Sequence, residues 1–237
     1  MSVSRRDVSR RDLVQAAVRL MPLGDSITFG YGDEANGGYR GPLGALLVGA
    51  GHSIEFVGSQ SDGAILQPRH EGHSGWCADQ VREDVYGWLT ASPPDVVLLH
   101  IGTNSISRED GADAVAGEID GILNEIDRHE RAAGRATTVV LAQIVNRRDS
   151  EMLAEETTKL NARIASLAEK RRASGDRLML ADVEHALAYP DDLFMDDYPV
   201  HPNASGYARM AQMWFDVLGR LLGRPRPYAG DEATPAR

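Results

Sequence analysis

Two polar stretches of this chain contain residue types suited to acyl-transfer chemistry. Ser26 lies in PLGDSITFGYG, directly after an apolar run, and His201 lies in DDYPVHPNASGY, just before a predicted helix. A serine hydroxyl becomes a useful nucleophile when a base such as histidine removes its proton. Taken alone, a serine at a strand end can also cap a helix, and His201 can also pack beneath the last helix.

The other histidines have less informative neighbours. His100 lies inside the apolar run VVLLHI and is expected to be a buried core residue. His70 and His73 belong to the polar stretch HEGHSGW, where hydrogen bonds from the histidines are expected to hold the loop in place. The remaining three lie in polar surroundings without a recognisable motif: His52, His129 and His185.

Apolar runs alternate with segments of helical periodicity, which predicts an α/β domain with a mainly parallel sheet covered by helices. The predicted strands are Ala17–Leu23, Ile54–Gly58, Asp95–Ile101, Thr137–Val145 and Arg177–Val183. The predicted helices are Tyr39–Ala50, Ala78–Thr90, Gly111–Ala133, Glu151–Ala173 and Asn203–Leu222. The fold class is therefore a three-layer α/β/α domain around a five-stranded sheet.

The polar stretches follow predicted strands. In open parallel sheets, ligands bind beyond the carboxyl ends of the strands, so loops at that edge are expected to converge. The loops concerned are Gly24–Gly38, Ser59–Trp76, Gly102–Asp110 and Tyr189–His201.

Four sequence blocks in this order resemble those of the SGNH (GDSL-like) serine hydrolases: PLGDSIT, HSGW, IGTNS and VHPNASGYARMA. The stretches GGYR, FVGSQSDG, HEGHSGW and PDVVLLHIGTN are similar to carbohydrate esterase family 3, the acetylxylan esterase type. The resemblance covers roughly Arg19 to Met213 and implies a flavodoxin-like SGNH hydrolase fold.

The resemblance also implies residue roles. Ser26 matches the nucleophile, and His201 matches the general base. The backbone N–H groups of Ser26 and Gly75 and the side-chain amide of Asn104 match the donors of the oxyanion hole, which stabilise the charge that develops on the ester carbonyl. Neither a metal ion nor an organic cofactor is implied.

The sequence departs from the family pattern at two positions. Ser105 stands where the third block has an aspartate (GTND). In the last block the family has Asp-x-x-His, but Tyr198 occupies the aspartate position before His201. We expect Asp197 to orient the imidazole instead; Asp196, a backbone carbonyl or a water molecule are the alternatives.

Substrate contacts are expected from Asp25, Tyr31, Trp76 and Tyr198. The aromatic members of this set suit stacking against a sugar ring, with Trp76 and Tyr31 the best placed. The alternative for each ring is ordinary packing within a loop.

Composition restricts the class of partner. The 237-residue chain has a formal net charge of −10, which argues against nucleic acid because phosphate binding requires a basic face. No apolar run approaches the roughly 18 residues of a membrane span, so no membrane partner is expected. The single cysteine, Cys77, excludes an intrachain disulfide. The sequence predicts no particular oligomeric state.

The domain prediction is one hydrolase domain over 17–223, between a flexible N-terminal arm (1–16) and a flexible tail (224–237). The arm carries four arginines but no apolar stretch of the signal-peptide type. The expected location is therefore the cytoplasm, or outside the cell if the natural N-terminus is longer.

Three other sequence features argue against alternative functions. Gly30–Ala35 matches G-x-G-x-x-A, but its acidic residues would repel a pyrophosphate. The pair in HEGH lacks both the H-E-x-x-H spacing and a third metal ligand. No G-x-S-x-G elbow occurs, which argues against the α/β-hydrolase fold.

The sequence thus predicts a serine esterase that cleaves small acyl esters, acetyl esters above all, on a carbohydrate through an acyl-enzyme. One alternative is a lipolytic esterase or thioesterase for longer acyl chains. A second is a non-catalytic carbohydrate-binding protein on the same scaffold.

Overall fold

A computed structural model describes residues 16–33, 35, 37–195 and 199–223. Its seven strands are β1 (Val18–Gly24), β2 (Ile54–Phe56), β3 (Gln60–Ser61), β4 (Arg69–Gly72), β5 (Val96–His100), β6 (Thr138–Gln143) and β7 (Leu178–Asp182). The arm and tail predicted at the two ends, apart from residue 16, lie outside the described residues.

The sheet is parallel apart from its β3 edge. β1 is central: it pairs in parallel with β5 on one side, and with both β2 and β4 on the other. β5, β6 and β7 then continue in parallel order, while β3 pairs antiparallel with β4. In this register Leu20 of β1 lies between Phe56 of β2 and Val96 of β5.

Within the described part of the chain, eight helices surround the sheet. They are α1 (Ser26–Phe29), α2 (Arg40–Gly49), α3 (Ala78–Ala91), α4 (Thr103–Ser107), α5 (Ala112–Ala133), α6 (Glu151–Ala173), α7 (Val183–Ala186) and α8 (Ala204–Leu222). No helix among the described residues has both the length and the apolar character that crossing a bilayer requires.

Two apolar cores lie on opposite faces of the sheet, because successive strand side chains point to opposite faces. One core joins Leu23 and Leu99 to α3, α5 and α6. The other joins Leu20 and Leu98 to α2 and α8, with Trp214 of α8 fully buried. Burial on both faces explains why the central strands read as continuous apolar runs. The structure confirms the three-layer α/β/α prediction.

The predicted sheet was incomplete. All five predicted strands are present, the first shifted by one residue and the other four at narrower bounds, but β3 and β4 add two more within the loop Ser59–Trp76. The sequence RHEG of β4 is polar, and its pairing with Leu23 and Gly24 is tertiary, so the hydrophobic pattern contains no signal for it. The five predicted helices are present within two residues of their bounds, and the short α1, α4 and α7 are additional.

Short-range capping fixes where the long C-terminal helices begin. The Asn203 side chain accepts a hydrogen bond from the Gly206 N–H (3.1 Å), as predicted, and Ser150 caps α6 through the Leu153 N–H. The N-cap of α8 is thereby placed two residues after His201.

The α3 start is held by α4. Ser105, the residue that departs from the family pattern, is buried, and its hydroxyl accepts a hydrogen bond from the Ala78 N–H (3.0 Å). Gln80 accepts one from the Cys77 N–H (2.9 Å). The Ser105 hydroxyl therefore connects the segment that carries Gly75 to the segment that carries Asn104, at the position where the family pattern has an aspartate.

His100 is fully buried at the end of β5, as predicted, and its Nε2 accepts a hydrogen bond from the Val145 N–H (3.2 Å). Burial lowers the pKa of this imidazole to about 4. The folded protein therefore holds His100 neutral at a pH where the unfolded chain already binds a proton.

His100 should make the protein sensitive to acid. Its stabilising contribution is present above the unfolded pKa of about 6.5 and is lost as the pH falls toward 4, by roughly 3 kcal/mol in total. Urea unfolding of wild type and His100→Gln from about pH 8 to about pH 4 should show their difference in unfolding free energy shrinking by this amount. Other ionisable groups are common to both proteins, so parallel pH curves would contradict the prediction.

Replacing Ser105 should destabilise the junction of α3 and α4. Ser105→Ala leaves the buried Ala78 N–H without its acceptor, which should cost about 1–2 kcal/mol of unfolding free energy in urea. Ser166→Ala is the matched control, since the Ser166 hydroxyl is exposed and donates to the Ala162 carbonyl of its own helix. Equal stabilities of the two variants would show that the Ser105 bond contributes nothing.

Candidate active site

Ser26 is presented by a single helical turn at the end of β1. Asp25 accepts a hydrogen bond from the Ile27 N–H (3.0 Å), which begins α1 at Ser26, and Gly30 ends it with a left-handed φ of 101°. Ser26 is 8% exposed. As the first residue of the helix, its backbone N–H is not required by the helical hydrogen-bond pattern and can point toward a ligand.

Gly24, two residues earlier, allows β1 to approach β5 closely. A Cβ atom at this position would lie 2.0 Å from the His100 carbonyl oxygen and 2.6 Å from Thr28 Oγ1. Any side chain would force the two strand ends apart. The absence of one therefore sets the spacing between the loop that carries Ser26 and the loop that carries Asn104.

The structure brings His201 to Ser26 from the far end of the chain. Ser26 Oγ and His201 Nε2 are 2.9 Å apart, in a hydrogen bond that joins residues 175 positions apart. The His201 carbonyl accepts from the Phe194 N–H (2.8 Å), and the Leu193–Pro202 bridge holds the same segment. The Tyr31 ring covers the imidazole at a centroid distance of 4.5 Å.

Three predicted residues lie outside the described residues: Asp196, Asp197 and Tyr198. The assignment of Asp197 as the carboxylate that orients His201 stays a prediction, and so does the substrate contact of Tyr198. The segment returns at Pro199, whose carbonyl accepts a hydrogen bond from the Arg148 N–H (3.2 Å). The loop after β6 therefore supports the approach to His201.

Gly75 and Asn104, the other two predicted oxyanion donors, are linked through Trp76. Asn104 Nδ2 donates to the Trp76 carbonyl (2.9 Å). An amide nitrogen carries two N–H groups, so a second donor is left for another acceptor. Gly75 is exposed and has a φ of 82°, which turns the chain between His73 and Trp76. The His73 N–H in turn donates to the Gly24 carbonyl (2.9 Å), which connects the Gly75 turn to the strand end before Ser26.

The expectation that Asp25 contacts substrate is corrected by its burial. Asp25 is 0% exposed, and its carboxyl lies beneath α1, where it accepts the Ile27 N–H. Burial raises the pKa of this carboxyl to about 7, although the Ile27 hydrogen bond opposes the shift. The sequence suggested a substrate contact for this acidic residue beside Ser26, whereas in the structure its carboxyl caps the start of α1.

Aromatic side chains border the opening beside His201. Tyr31 is 47% exposed, and its backbone carbonyl accepts the Tyr207 hydroxyl (2.6 Å). Trp76 is half-buried against His73 and Trp88, so only part of its ring is available to a ligand. Phe194, which the sequence interpretation did not include, is 42% exposed and lies against Gly32. Its place in LFMDDYP, just before the last block, is the signal that was missed.

Arg40 is a second residue that the sequence interpretation missed. Its side chain is fully buried, and its guanidinium donates to four backbone carbonyls: those of Thr28, Phe29, Asp62 and Pro68. These carbonyls belong to the end of the Ser26 turn and to the loop before β4. A buried cation with five N–H donors thus joins two of the loops that surround the site. The residue stands in GGYR, one of the stretches that resemble the esterases.

The histidines of HEGHSGW hold their loop by hydrogen bonds, as predicted. His70 Nδ1 accepts from the Gly72 N–H (2.9 Å), and His73 Nε2 bonds to Glu71 (2.9 Å). Burial lowers the pKa of His70 to about 3, with help from the nearby Arg40 charge. Within the described ranges, no group of three His, Cys, Asp or Glu side chains is arranged to hold a metal ion.

Comparison with known proteins identifies the family to which this domain belongs. The model of the GDSL-like lipase/acylhydrolase family matches residues 23–209, most of the chain. A multidomain esterase of Ruminococcus flavefaciens is 27% identical over 252 residues, which cover 93% of this chain. The match spans only 31% of that esterase, so it concerns one part of a longer protein.

Solved structures of similar fold include a family 3 carbohydrate esterase of Clostridium thermocellum (28% identity, TM-score 0.75, covering 87% of this chain and 97% of that one). Another is a family 3 carbohydrate esterase of Talaromyces cellulolyticus (28% identity, TM-score 0.72, covering 86% and 98%). An acetyl esterase mutant solved with an acetate ion is also similar (27% identity, TM-score 0.72, covering 86% and 98%). The fold is that of the SGNH hydrolases, and the chain belongs to the GDSL-like lipase/acylhydrolase family of carboxylic ester hydrolases.

Proposed function

We propose that this chain is a serine esterase that removes small acyl groups, acetyl above all, from a carbohydrate through an acyl-enzyme intermediate. The observation that carries the proposal is the 2.9 Å hydrogen bond between Ser26 Oγ and His201 Nε2. This separation lies within the range in which a base can take the proton of a nucleophile.

In the first half of the reaction, His201 Nε2 takes the Ser26 proton as Oγ attacks the ester carbonyl. The negative charge that develops on the carbonyl oxygen is stabilised by the Ser26 and Gly75 N–H groups and the second N–H of Asn104. The imidazolium then returns its proton to the leaving alcohol, and the acyl group stays on Ser26. A water molecule, deprotonated by the same imidazole, releases the acid and restores the serine.

Two features favour a small acyl group on a sugar. Ser26 and His201 are each only 8% exposed, so the opening above the reacting atoms exposes little of either residue. The half-exposed rings of Tyr31 and Phe194 border that opening and suit the apolar face of a pyranose. The printed names of the similar structures, carbohydrate esterase and acetyl esterase, agree with both features.

The two alternatives have weaker support. A longer acyl chain requires an apolar channel beyond the serine; the exposed Met195 (61%), next to Phe194, favours it because it adds apolar surface to the segment that leads to His201. A protein that only binds carbohydrate has no use for a nucleophile hydrogen-bonded to a base, and keeping that pair buried carries a desolvation cost.

Ser26→Ala should abolish ester hydrolysis. Removing the nucleophile of a serine hydrolase lowers kcat by about 10³-fold or more, whereas Ser166→Ala on the exposed side of α6 should leave it unchanged. We would measure kcat and KM on p-nitrophenyl esters of increasing chain length, from acetate to octanoate, and expect kcat/KM to fall steeply beyond acetate. Stability in urea should be similar for both variants.

The outcomes separate the proposals. Full activity in Ser26→Ala would refute the nucleophile assignment. Activity that depends on Ser26 but is highest for octanoate would refute the small-acyl assignment alone and favour the lipolytic alternative. Absence of activity in wild type, with binding of acetylated oligosaccharide retained, would favour the binding protein.

Tyr31→Ala should weaken binding of a sugar ester specifically. Loss of one stacked ring is worth about 1 kcal/mol, so KM for an acetylated xylo-oligosaccharide should rise by roughly five- to tenfold. KM for p-nitrophenyl acetate, which has no sugar ring, should change less. Tyr31→Phe keeps the ring and is the matched control. Equal KM values for the oligosaccharide in wild type and Tyr31→Ala would exclude a stacking role.

A further inference from the structure

The turn 73–76, which carries Gly75, is closed by its own backbone hydrogen bond. The Trp76 N–H donates to the His73 carbonyl (3.1 Å), and Gly75 occupies the third position with a φ of 82°. A positive φ at that position is the requirement of a type II turn and suits glycine. Nothing lies within 4 Å of a Cβ placed on Gly75, so its conformation rather than its space requires the glycine.

The backbone of the turn is attached at both ends to the other parts of the site. The His73 N–H donates to the carbonyl of Gly24 (2.9 Å), two residues before Ser26. At the far end, the Trp76 carbonyl accepts the Asn104 amide (2.9 Å). These two bonds fix where the turn begins and ends, but a turn held only at its two ends can still tilt about the line that joins them.

The His73 side chain supplies the third attachment. Its Nε2 lies 2.9 Å from Glu71 Oε2, and its ring stacks on Trp88 of α3 at a centroid distance of 4.4 Å and an angle of 10°. Trp76 covers the ring from another direction at 4.5 Å. The imidazole is thus held at its edge by a carboxyl and at its face by an indole.

Glu71 is itself immobilised. It is fully buried in β4, and it accepts hydrogen bonds from both the N–H and the hydroxyl of Ser59, the latter at 2.9 Å. β4 pairs with the end of β1, with Glu71 opposite Leu23. The side-chain attachment of His73 therefore leads back to the same strand that presents Ser26.

We propose that His73 is a positioning residue for the oxyanion hole: the Glu71–His73–Trp88 contacts hold the turn 73–76 at the tilt that aims the Gly75 N–H. The inference rests on the proposed function, because it assigns the Gly75 N–H to the developing oxyanion. Oxyanion donors must lie about 2.7–3.1 Å from the charged oxygen, and small displacements of catalytic groups cost as much as roughly 10²-fold in rate. A misaimed donor lowers transition-state binding while leaving ground-state binding nearly unchanged.

The test compares His73→Ala, which removes the attachment, with His73→Gln, whose side-chain amide can still donate to Glu71. His129→Gln is the matched control, because His129 is buried against Tyr86 at α5, away from the turn.

The measurements are kcat and KM on p-nitrophenyl acetate, per active site titrated with a fluorophosphonate, and the inhibition constant of an arylboronic acid. The boronic acid forms a tetrahedral anionic adduct with the serine and so requires the oxyanion hole.

For His73→Ala we expect kcat per titrated site to fall by about 10- to 100-fold with KM within threefold of wild type. Boronic acid affinity should fall by a similar factor, and His73→Gln should recover most of both losses. His129→Gln should match wild type. If His73→Ala does not fold, Glu71→Gln is compared with His73→Gln instead. We then expect a larger loss of kcat in Glu71→Gln than in His73→Gln.

A kcat per titrated site within twofold of wild type in His73→Ala, or in Glu71→Gln where His73→Ala does not fold, would overturn the inference. So would a kcat loss without a parallel loss of boronic acid affinity, or a loss that His73→Gln leaves unrelieved. These results differ from failure of the proposed function, which would show as activity retained in Ser26→Ala. The two can therefore be told apart in one set of assays.

Discussion

The hydrogen bond between Ser26 and His201 constrains both ends of the domain at once. Ser26 is fixed by β1, the central strand, whereas His201 immediately precedes α8, the last helix. For the 2.9 Å contact to form, α8 must be seated on the core around Leu20 and Trp214, and its first turn must begin at Asn203. The Ser26–His201 hydrogen bond therefore depends on the complete fold rather than on one local motif.

Buried polar groups hold the loops around this pair, and each is satisfied by a partner distant in sequence. Arg40 donates hydrogen bonds to four backbone carbonyls and so connects the end of the Ser26 turn to the loop before β4. Glu71 joins the loop at Ser59 to His73. Ser105 joins α4 to the first residue of α3. Loops at the edge of a parallel sheet lack the backbone hydrogen bonds that join neighbouring strands. Side-chain hydrogen bonds such as these hold the loops instead.

Much of the architecture could be predicted from the sequence because the central strands are buried on both faces. Runs such as VVLLHI leave little choice of structure, and their ends located the loops of Ser26 and Asn104 correctly. The four family blocks then paired Ser26 with His201, which periodicity alone does not do. The polar β4 was missed because its pairing with β1 is tertiary and leaves no apolar pattern.

The errors at the site have a common cause. Asp25 and Arg40 are charged residues, and charge in a sequence suggests contact with solvent or substrate. In the structure both are fully buried, Asp25 as the cap of a four-residue helix and Arg40 as a donor to carbonyls up to 28 positions away. Burial of a charged side chain depends on hydrogen-bond partners that only folding brings together, so no local sequence pattern predicts it. Phe194 was missed because aromatic residues are common in loops, and only its position beside the last block distinguished it.

Because of the close approach at Gly24, the spacing of the loops at the site and the shape of its opening depend on different residues. Because the β1 and β5 ends touch through bare backbone, the spacing between the Ser26 and Asn104 loops is set inside the sheet. The half-exposed side chains of Tyr31 and Phe194 lie outside the sheet: the Tyr31 carbonyl is held by the Tyr207 hydroxyl of α8, and Phe194 lies against Gly32. These two side chains can be replaced, which would change the ester that fits the opening, while the spacing between the Ser26 and Asn104 loops stays constant. Selectivity in this domain is thus free to diverge on a fixed catalytic geometry.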